Sequence, residues 1–353
     1  MAKLEELEND TLRIELELTT KCNAACPQCV RNFYGGPKWP SLPLIAPKLD
    51  YLKDKLGNIL SNVSTIKLCG TYGDPCVHNQ FIDIVTWLKT YPNLSVRINT
   101  NGGMNKKHWT KLAKLLTEND LVTFGIDGLS DTNHLYRKNV DWDTLMKNVK
   151  DFIGAGGPAA WQFIVFEHNQ HQVEEAKALS INLGFKYFFV KKTIRFFNKN
   201  HEKVDFTPSV DKNKIFIIKP PTDTQYLYSG YKNIKNVDFK TVPIKCIGKH
   251  FHHIYVGADG YVFPCGWLHD RLYGYEPEKH SDHEKIFKLM DIAGGKEKAN
   301  INYTPIEQII YGDWFRVLED SWSNENRLER CAAQCHVGNS MIEDVYHLAN
   351  ENT

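Results

Sequence analysis

The feature that most constrains this chain is a loop with three cysteines, Cys22, Cys26 and Cys29, in the run LTTKCNAACPQCVR. The Cys-x3-Cys-x2-Cys spacing follows a strand-like segment, and no fourth cysteine lies nearby. Three thiolates from one loop suit a cubane iron–sulfur cluster with one iron left open. A structural zinc site needs four ligands, usually in two separated pairs, so the spacing favours the cluster over zinc or three unrelated buried thiols.

Composition limits the partners and the compartment. The 353 residues are enough for one large domain with an appendage or for two domains. Because 43 basic residues balance 42 acidic ones, neither nucleic acid nor an anionic membrane is an expected partner. Nine cysteines without an apolar signal segment indicate thiolate chemistry in a reducing compartment. We therefore predict a cytoplasmic protein.

The segment TLRIELEL, just before the cysteine loop, alternates between apolar and polar residues. This period of two predicts a strand with one apolar face and one polar face that carries Glu15 and Glu17. In a curved parallel sheet the apolar face would pack on outer helices, and both glutamates would point inward as candidate catalytic groups. An edge strand with a solvated polar face gives the same pattern.

Strand-like and helix-like segments then alternate along the chain. Five further strands are predicted, in STIKLC, LSVRIN, LVTFGI, WQFIVF and KYFFVK, with helices near residues 46–60, 79–90, 106–118, 142–152 and 172–182. Such alternation implies parallel strands joined by right-handed crossovers. Six strands are too few to close an eight-stranded barrel, so we predict an α/β fold whose first part, residues 1–197, is a partial (βα)6 TIM-like barrel.

The cysteine run resembles the signature of the radical S-adenosylmethionine (SAM) superfamily, in which three cysteines hold a 4Fe-4S cluster and SAM chelates the fourth iron. It departs from that signature at Gln28, where the family usually has an aromatic residue. The loop GTYGDP is similar to the family's Gly-Gly-Glu-Pro motif, which implies that Gly73 and Asp74 meet the SAM amino group. The alternative is a tight turn in which Asp74 caps the next helix.

The resemblance places SAM-binding side chains on two more loops. Asn99, Thr100 and Asn101 follow the third strand, where the family has ribose contacts. Asp127 and Arg137 match features of a subfamily with extra C-terminal clusters, and Arg137 is expected to bind the SAM carboxylate. The position that is serine in the subfamily is Gly125 here, so one ribose contact is missing or supplied by Thr100. A surface ion pair is the alternative for Arg137.

Two other catalytic candidates end the fifth strand. Glu167 and His168 lie where a side chain can face the cavity of such a sheet. A lone histidine in a loop is more often a structural residue. Of the two cysteines outside ligand-like runs, Cys69 is expected in the core because it ends an apolar strand, whereas Cys76 is the one that could face the cavity.

Four more cysteines occur late in the chain. Their pattern resembles the start of a SPASM domain, in the shortened form called a twitch domain, and implies a second 4Fe-4S cluster; zinc remains the alternative. The prediction is a bridge at residues 198–245, followed by a small α+β twitch/SPASM-like iron–sulfur domain at 246–353. A hairpin around GADG lies within it, and the last two cysteines share a helix face. The four are Cys246, Cys265, Cys331 and Cys335.

The resemblance implies a radical SAM enzyme. One electron from a reductant such as flavodoxin or ferredoxin would cleave SAM to a 5′-deoxyadenosyl radical, which abstracts hydrogen from a substrate. The substrate is expected to be a small alcohol, a sugar-like metabolite or a peptide side chain, and the second cluster is expected to relay an electron. The first strand starts near residue 12, which favours a small molecule over a peptide with a bound leader. The alternative is a non-catalytic iron–sulfur or zinc protein that retains the fold.

Overall fold

A computed structural model describes residues 11–32, 36–105, 108–192, 196, 217–227, 237–273 and 281–337. Its eight described strands form one sheet in the order β6-β5-β4-β3-β2-β1-β7-β8. The strands are β1 (Leu12–Leu16), β2 (Val63–Leu68), β3 (Ser95–Thr100), β4 (Leu121–Gly125), β5 (Ala159–Ile164), β6 (Tyr187–Lys191), β7 (His253–Val256) and β8 (Val262–Phe263).

Helices connect the strands and complete the C-terminal part. In the first part these are α1 (Leu49–Leu56), α2 (Phe81–Leu88), α3 (Trp109–Leu115), α4 (Asn133–Tyr136), α5 (Trp142–Gly154) and α6 (Val173–Leu183). In the second part they are α7 (Ile247–His250), α8 (Gly266–His269), α9 (Ser281–Ile292), α10 (Ile306–Ile310), α11 (Asp313–Asp320) and α12 (Glu329–Cys335).

The first six strands are parallel and pair in the order in which they occur along the chain. The predicted α/β fold with a parallel sheet is therefore confirmed. Strands β6 and β8 are the two edges of the sheet, which stays open among the described residues. Closure of the first six strands into a partial barrel remains a prediction.

Strand β7 extends the sheet across the predicted domain boundary. The predicted hairpin is present, since β7 and β8 are antiparallel around a turn at residues 257–260. However, β7 also pairs in parallel with β1, from Arg13 opposite His253 to Leu16 opposite Val256. The division into three domains remains a prediction, and most of the predicted bridge at 198–245 lies outside the described residues.

The two faces of the sheet differ as the alternation of β1 predicts. Ile14 and Leu16 are 1% exposed and belong to the apolar core. On the other face the Glu15 carboxylate lies 3.5 Å from Lys67 Nζ and 3.6 Å from His253 Nε2, and all three side chains are partly exposed. Burial would raise the pKa of Glu15, but Lys67 and His253 outweigh it and lower that pKa to about 2. The polar face of the sheet therefore carries charged side chains.

The same alternation corrects the prediction for the two spare cysteines. Leu68 packs in the core, so the next residue, Cys69, lies on the polar face, where Glu15 and Lys67 act on its thiol. Cys69 is partly exposed, whereas Cys76 is fully buried in the apolar core. The expectation that Cys69 lies in the core was wrong, and Cys76 does not face a cavity.

Glu17, at the end of β1, lies in a buried polar cluster that joins the sheet to the C-terminal part. The carboxyl group is fully buried, and the charges of His269 and Asp259 act on it. His269 Nε2 lies 3.0 Å from Asp259 Oδ2. Burial raises the pKa of Glu17 to about 7. Burial opposes the imidazolium of His269, but the Asp259 carboxylate outweighs this effect and raises its pKa.

This cluster predicts a specific loss of stability as the pH rises. Glu17 ionises near 4.5 in the unfolded chain and near 7 in the folded chain, so unfolding releases a proton between these pH values. The contribution of the neutral carboxyl group to the free energy of unfolding should therefore fall across this window, by roughly 3 kcal/mol in total. His269 acts in the same direction, because its raised pKa favours the protonated folded form at low pH.

The measurement is the difference in unfolding free energy between the wild-type protein and Glu17→Gln, followed from about pH 4.5 to pH 7. We expect this difference to shrink as the pH rises. Glu15→Gln is the matched control on the same strand: because the folded-state pKa of Glu15 is about 2, its contribution to the free energy of unfolding does not fall as the pH rises through this range. A Glu17→Gln difference that is flat or grows with pH would contradict the prediction.

Candidate functional site

The cysteine loop follows β1 and holds its three thiols together at the carboxyl edge of the sheet. Cys26 is buried, and Cys22 and Cys29 are partly exposed. Burial raises the pKa of Cys26 to about 11 and also raises that of Cys22, and the charges of neighbouring cysteines add to both shifts. The three thiols are therefore close enough to act on one another, as ligands of a shared group must be.

Two neighbouring loops hold the cysteine loop in place. The side chains of Asn23 and Asn101 exchange hydrogen bonds of 3.1 and 2.9 Å, which joins it to the loop after β3. Ala25 N donates to Lys138 O at 3.0 Å, which joins it to the segment after α4. The backbone on both sides of Cys22 and Cys26 is thereby fixed relative to the sheet.

Three N–H groups point at the sulfur atoms. Ala24 N and Asn101 Nδ2 lie 3.4 and 3.7 Å from Cys22 Sγ, and Arg137 Nη1 lies 3.9 Å from Cys26 Sγ. Donors near sulfur favour the thiolate, which is the form that ligates iron, and hydrogen bonds to sulfur tune iron–sulfur clusters. The donor set of this loop therefore fits an iron–sulfur cluster.

Asp74 ties the loop after β2 to the loop after β3. Its carboxylate accepts from Asn101 N at 2.7 Å, from Cys76 N at 3.0 Å and from Thr100 Oγ1 at 3.0 Å. The bond from Cys76 N caps the short 3-10 helix Pro75–Val77, which is the alternative that the sequence left open. Asp74 is thus a capping residue in this structure, and its contact with SAM remains a prediction.

The other candidates from β3 have different surroundings. Thr100 Oγ1 donates to Asp74, so the proton of that hydroxyl is already used in a hydrogen bond within the protein. Asn99 lies on the polar face of β3, opposite Thr123 of β4, and is partly exposed. Asn101 is buried and braces the cysteine loop, as described above.

Asp127 and Arg137 form a buried ion pair at the end of β4. Arg137 Nε lies 2.6 Å from Asp127 Oδ2, with side-chain exposures of 15% and 0%, so this is not the surface pair that the sequence left open. The Asp127 carboxylate also accepts from Ile164 N at 2.7 Å. A Cβ atom on Gly125 would lie 2.4 Å from Arg137 Nη2, so glycine at the family's serine position makes room for the guanidinium.

The four catalytic candidates are not brought together. Glu167 forms an ion pair of 3.4 Å with Lys219, and both side chains are at least 40% exposed. His168 stacks on Phe166 with ring centroids 5.2 Å apart, and burial lowers its pKa to about 4. Glu17 is fully buried, so only Glu15 of the four lies on the partly exposed polar face.

The four late cysteines surround one cavity in the C-terminal part. Cys265 and Cys246 lie within electrostatic range of each other and of the helix cysteines, and burial raises the pKa of all four thiols. No three His, Cys, Asp or Glu side chains of the described chain lie close enough to hold a single metal ion. The thiols line the cavity together with apolar walls that include Trp267, Leu318 and Trp322.

Local contacts explain how these distant cysteines meet. Lys245 N donates to Cys335 O at 2.7 Å, and Ile244 forms an antiparallel bridge with His336, which sets Cys246 beside the end of α12. The Asp282 carboxylate accepts from the first N–H groups of that helix, Glu329 N at 2.9 Å and Arg330 N at 2.7 Å. The predicted helix for Cys331 and Cys335 is confirmed.

Some residues that shape the site were not predicted from the sequence. Asn148 Nδ2 donates to Gly102 O at 2.7 Å and to Met104 O at 2.9 Å, which supports the loop after β3. The signal was present, because Asn148 lies three residues after Leu145 on the apolar face of α5. The contact of Tyr255 with the loop after β2 and that of Tyr72, within this loop, with His269 had no such signal, since both tyrosines are ordinary aromatic positions.

No helix of the described chain is long and apolar enough to span a bilayer. Among curated proteins none matches this chain. In solved structures, SuiB of Streptococcus suis bound to S-adenosylmethionine matches at 16% identity and a TM-score of 0.51, covering 76% of this chain and 63% of SuiB. A second structure, native anSMEcpe with bound AdoMet, matches at 15% identity and a TM-score of 0.55, covering 92% of this chain and 89% of anSMEcpe.

These likenesses concern the fold, and this chain spans about 63% of the length of SuiB. The family model described as Radical SAM superfamily matches residues 16–179, which include the cysteine loop and the parallel strands that follow it. Residues 16–179 therefore form a Radical SAM superfamily domain on an α/β fold.

Proposed function

We propose that this chain is a radical SAM enzyme that cleaves SAM reductively at a 4Fe-4S cluster held by Cys22, Cys26 and Cys29. One observation carries the proposal: three neighbouring thiols on a single loop, with N–H donors at the sulfurs of Cys22 and Cys26, lie inside a domain that matches the Radical SAM superfamily. When bound, the cluster and SAM would supply a 5′-deoxyadenosyl radical for hydrogen abstraction.

The residues of the chain prepare this chemistry by holding the loops still. Asn23 and Asn101 fix the cysteine loop, and the Asp127 carboxylate holds Arg137 beside Cys26. The positive charge of Arg137 lies beside Cys26, where it would stabilise the negative thiolates. The guanidinium N–H groups that do not bind Asp127 suit the SAM carboxylate. Pre-ordered loops reduce the entropy that cofactor binding must overcome.

The polar face of the sheet is the proposed place for substrate. Glu15, Lys67 and Cys69 are partly exposed there and can bind hydroxyl, amine or carboxylate groups. This chemistry suits a small polar metabolite or a peptide side chain. Peptides are bound in structures of two relatives of this fold, SuiB with the precursor peptide SuiA and anSMEcpe with Cp18Cys, which supports keeping a peptide among the candidates.

A second 4Fe-4S cluster is proposed in the cavity between α8 and α12. Its four thiols would occupy all four irons, so the cluster would relay electrons rather than bind substrate. An electron acceptor suits a dehydrogenation, because a substrate radical must give up one more electron to become a closed-shell product. The first cluster would be reduced by an electron carrier such as flavodoxin or ferredoxin.

The first test is product release. The protein reconstituted with iron and sulfide without oxygen, then given dithionite and SAM, should release 5′-deoxyadenosine. Replacing Cys22, Cys26 or Cys29 by alanine should abolish release, because each thiolate holds one iron. The measurement is chromatography of the products with iron analysis of each variant.

The matched control is Cys76→Ala, since Cys76 is a buried cysteine near the same loops and belongs to the apolar core. This variant should keep 5′-deoxyadenosine release and the full iron content. Unchanged release in any of the three loop variants would refute the assignment. Lack of release by the wild-type protein would favour the non-catalytic alternative.

The second test concerns the auxiliary site. We expect about eight irons per chain in the wild-type protein and about four in Cys331→Ala or Cys335→Ala, because each 4Fe-4S cluster contributes four. SAM cleavage should persist in these variants, since the first cluster is intact. One zinc per chain that disappears with Cys331→Ala would instead identify a structural zinc site and refute the electron relay.

A further inference from the structure

The segment that carries the three loop cysteines is basic, although the chain as a whole is almost neutral. Residues 18–48 contain no Asp or Glu, whereas the whole chain has 42 acidic residues beside its 43 basic ones. The basic residues of this segment are Lys21, Arg31, Lys38 and Lys48. Residues 101–108 and 134–140, which belong to the two loops that brace the cysteine loop, also contain no Asp or Glu. They add Lys106, Lys107, Arg137 and Lys138.

Two of these lysines lie directly beside the thiols. Lys21 precedes Cys22 in the chain, and its side chain is exposed. Lys138 lies against the middle of the cysteine loop, because its carbonyl oxygen accepts from Ala25 N at 3.0 Å. Neither ammonium group forms an ion pair with a described carboxylate. Their charges are therefore not neutralised by the described part of the chain.

The second half of the basic segment folds back onto its start. Thr20 N donates to Ile45 O at 3.0 Å, and Thr20 Oγ1 donates to Pro43 O at 2.6 Å. Leu44, between these two residues, therefore lies beside the start of the cysteine loop, and it is 53% exposed. Arg31 Nε donates to Thr20 O at 3.2 Å, which brings another cation to the same place.

An exposed apolar side chain among unpaired cations is typical of a surface that binds a negatively charged partner. We call Lys21, Arg31, Lys138 and Leu44 the docking rim. Cys22 and Cys29, next to this rim, are partly exposed, so an electron can enter a cluster on the loop from this side. Transient complexes between redox proteins have small interfaces and associate through complementary charge. An acidic electron carrier fits this position better than nucleic acid or an anionic membrane, because only the carrier has a reason to approach the cysteines.

We propose that the docking rim binds an acidic one-electron carrier protein, which reduces the cluster on the cysteine loop. This inference rests on the proposed function, which requires such a reductant. One electron passes from the reduced carrier to the cluster, so the carrier is oxidised and the cluster is reduced by one electron each, and no bond is made or broken. The positive charge of the rim raises the rate of association, and dissolved salt screens this effect.

The test measures how fast an acidic flavodoxin, fully reduced and without oxygen, reduces the iron-loaded protein. The double variant Lys21→Glu/Lys138→Glu should lower the second-order rate constant about tenfold at about 0.01 M ionic strength, where the Debye length is about 30 Å. At about 1 M, where this length is about 3 Å, the variant should lie within about twofold of wild type. Leu44→Ser should slow reduction about threefold at both ionic strengths, because salt does not screen an apolar contact.

Lys150→Glu/Lys177→Glu is the matched control. It makes the same change in net charge on exposed side chains of α5 and α6, away from the cysteine loop, and should alter the rate less than about twofold. Release of 5′-deoxyadenosine driven by saturating dithionite should be the same in both double variants and in wild type, because only the backbone of Lys138 braces the loop. Cys335→Ala should show the same loss with the rim variant, since under the proposed function it retains the loop cluster alone.

The outcomes separate the docking rim from the proposed function. An unchanged rate in the rim variant, or an equal loss in the matched control, overturns the docking rim alone. Reduction of the wild-type protein by dithionite but not by flavodoxin does the same. Binding to phosphatidylserine vesicles or duplex DNA that is tighter than binding to flavodoxin, and is lost in the rim variant, also overturns it in favour of that anion. If the iron-loaded wild-type protein releases no 5′-deoxyadenosine with dithionite, the proposed function and the docking rim both fail.

Discussion

The structure depends on buried carboxyl groups that join each loop at the carboxyl edge of the sheet to a neighbour. Glu17 accepts from the loop after β2, Asp74 accepts from the loop after β3, and Asp127 accepts from the end of β5. Burying a carboxyl group is costly unless hydrogen bonds compensate, and bonds to charged groups contribute about 1.5–3 kcal/mol each. Each buried carboxyl group keeps these hydrogen bonds only while its neighbouring loop keeps its conformation.

This dependence makes the edge of the sheet rigid where the cysteine loop rests on it. Asn23 and Asn101 connect that loop to the backbone that Asp74 holds, and Arg137 connects it to Asp127. A bound cluster would thus meet thiols whose backbone is already positioned. The same chain of contacts explains why glycine at 125 matters, since a side chain there would displace Arg137 from the Cys26 sulfur.

Two elements of the C-terminal part, β7 and α8, contact this edge of the sheet. Strand β7 pairs with β1, so Tyr255 reaches the amide of Thr71, and α8 meets the hydroxyl of Tyr72 through its last carbonyl. The same helix begins directly after Cys265, one of the four cysteines around the second cavity. The proposed SAM loop and the proposed auxiliary site are therefore separated by one short helix.

The sequence by itself determined the elements whose signals are local. The period of two in β1, the alternation of strands and helices and the spacing of Cys22, Cys26 and Cys29 predicted the parallel sheet and the loop that follows its first strand. The helix that carries Cys331 and Cys335 was also predictable, because an i, i+4 pair depends only on the helix period.

Only the tertiary structure decided the features that depend on distant partners. The pairing of β7 with β1 joins residues more than 200 positions apart, and no local pattern specifies which edge a strand will join. The partly exposed position of Cys69 followed from the exact end of β2, which sets the face of the residue after Leu68. Glu17 was expected to be a catalytic group because its strand predicts only a face, whereas one of its buried carboxyl oxygens accepts from the amides of a turn more than 50 residues away.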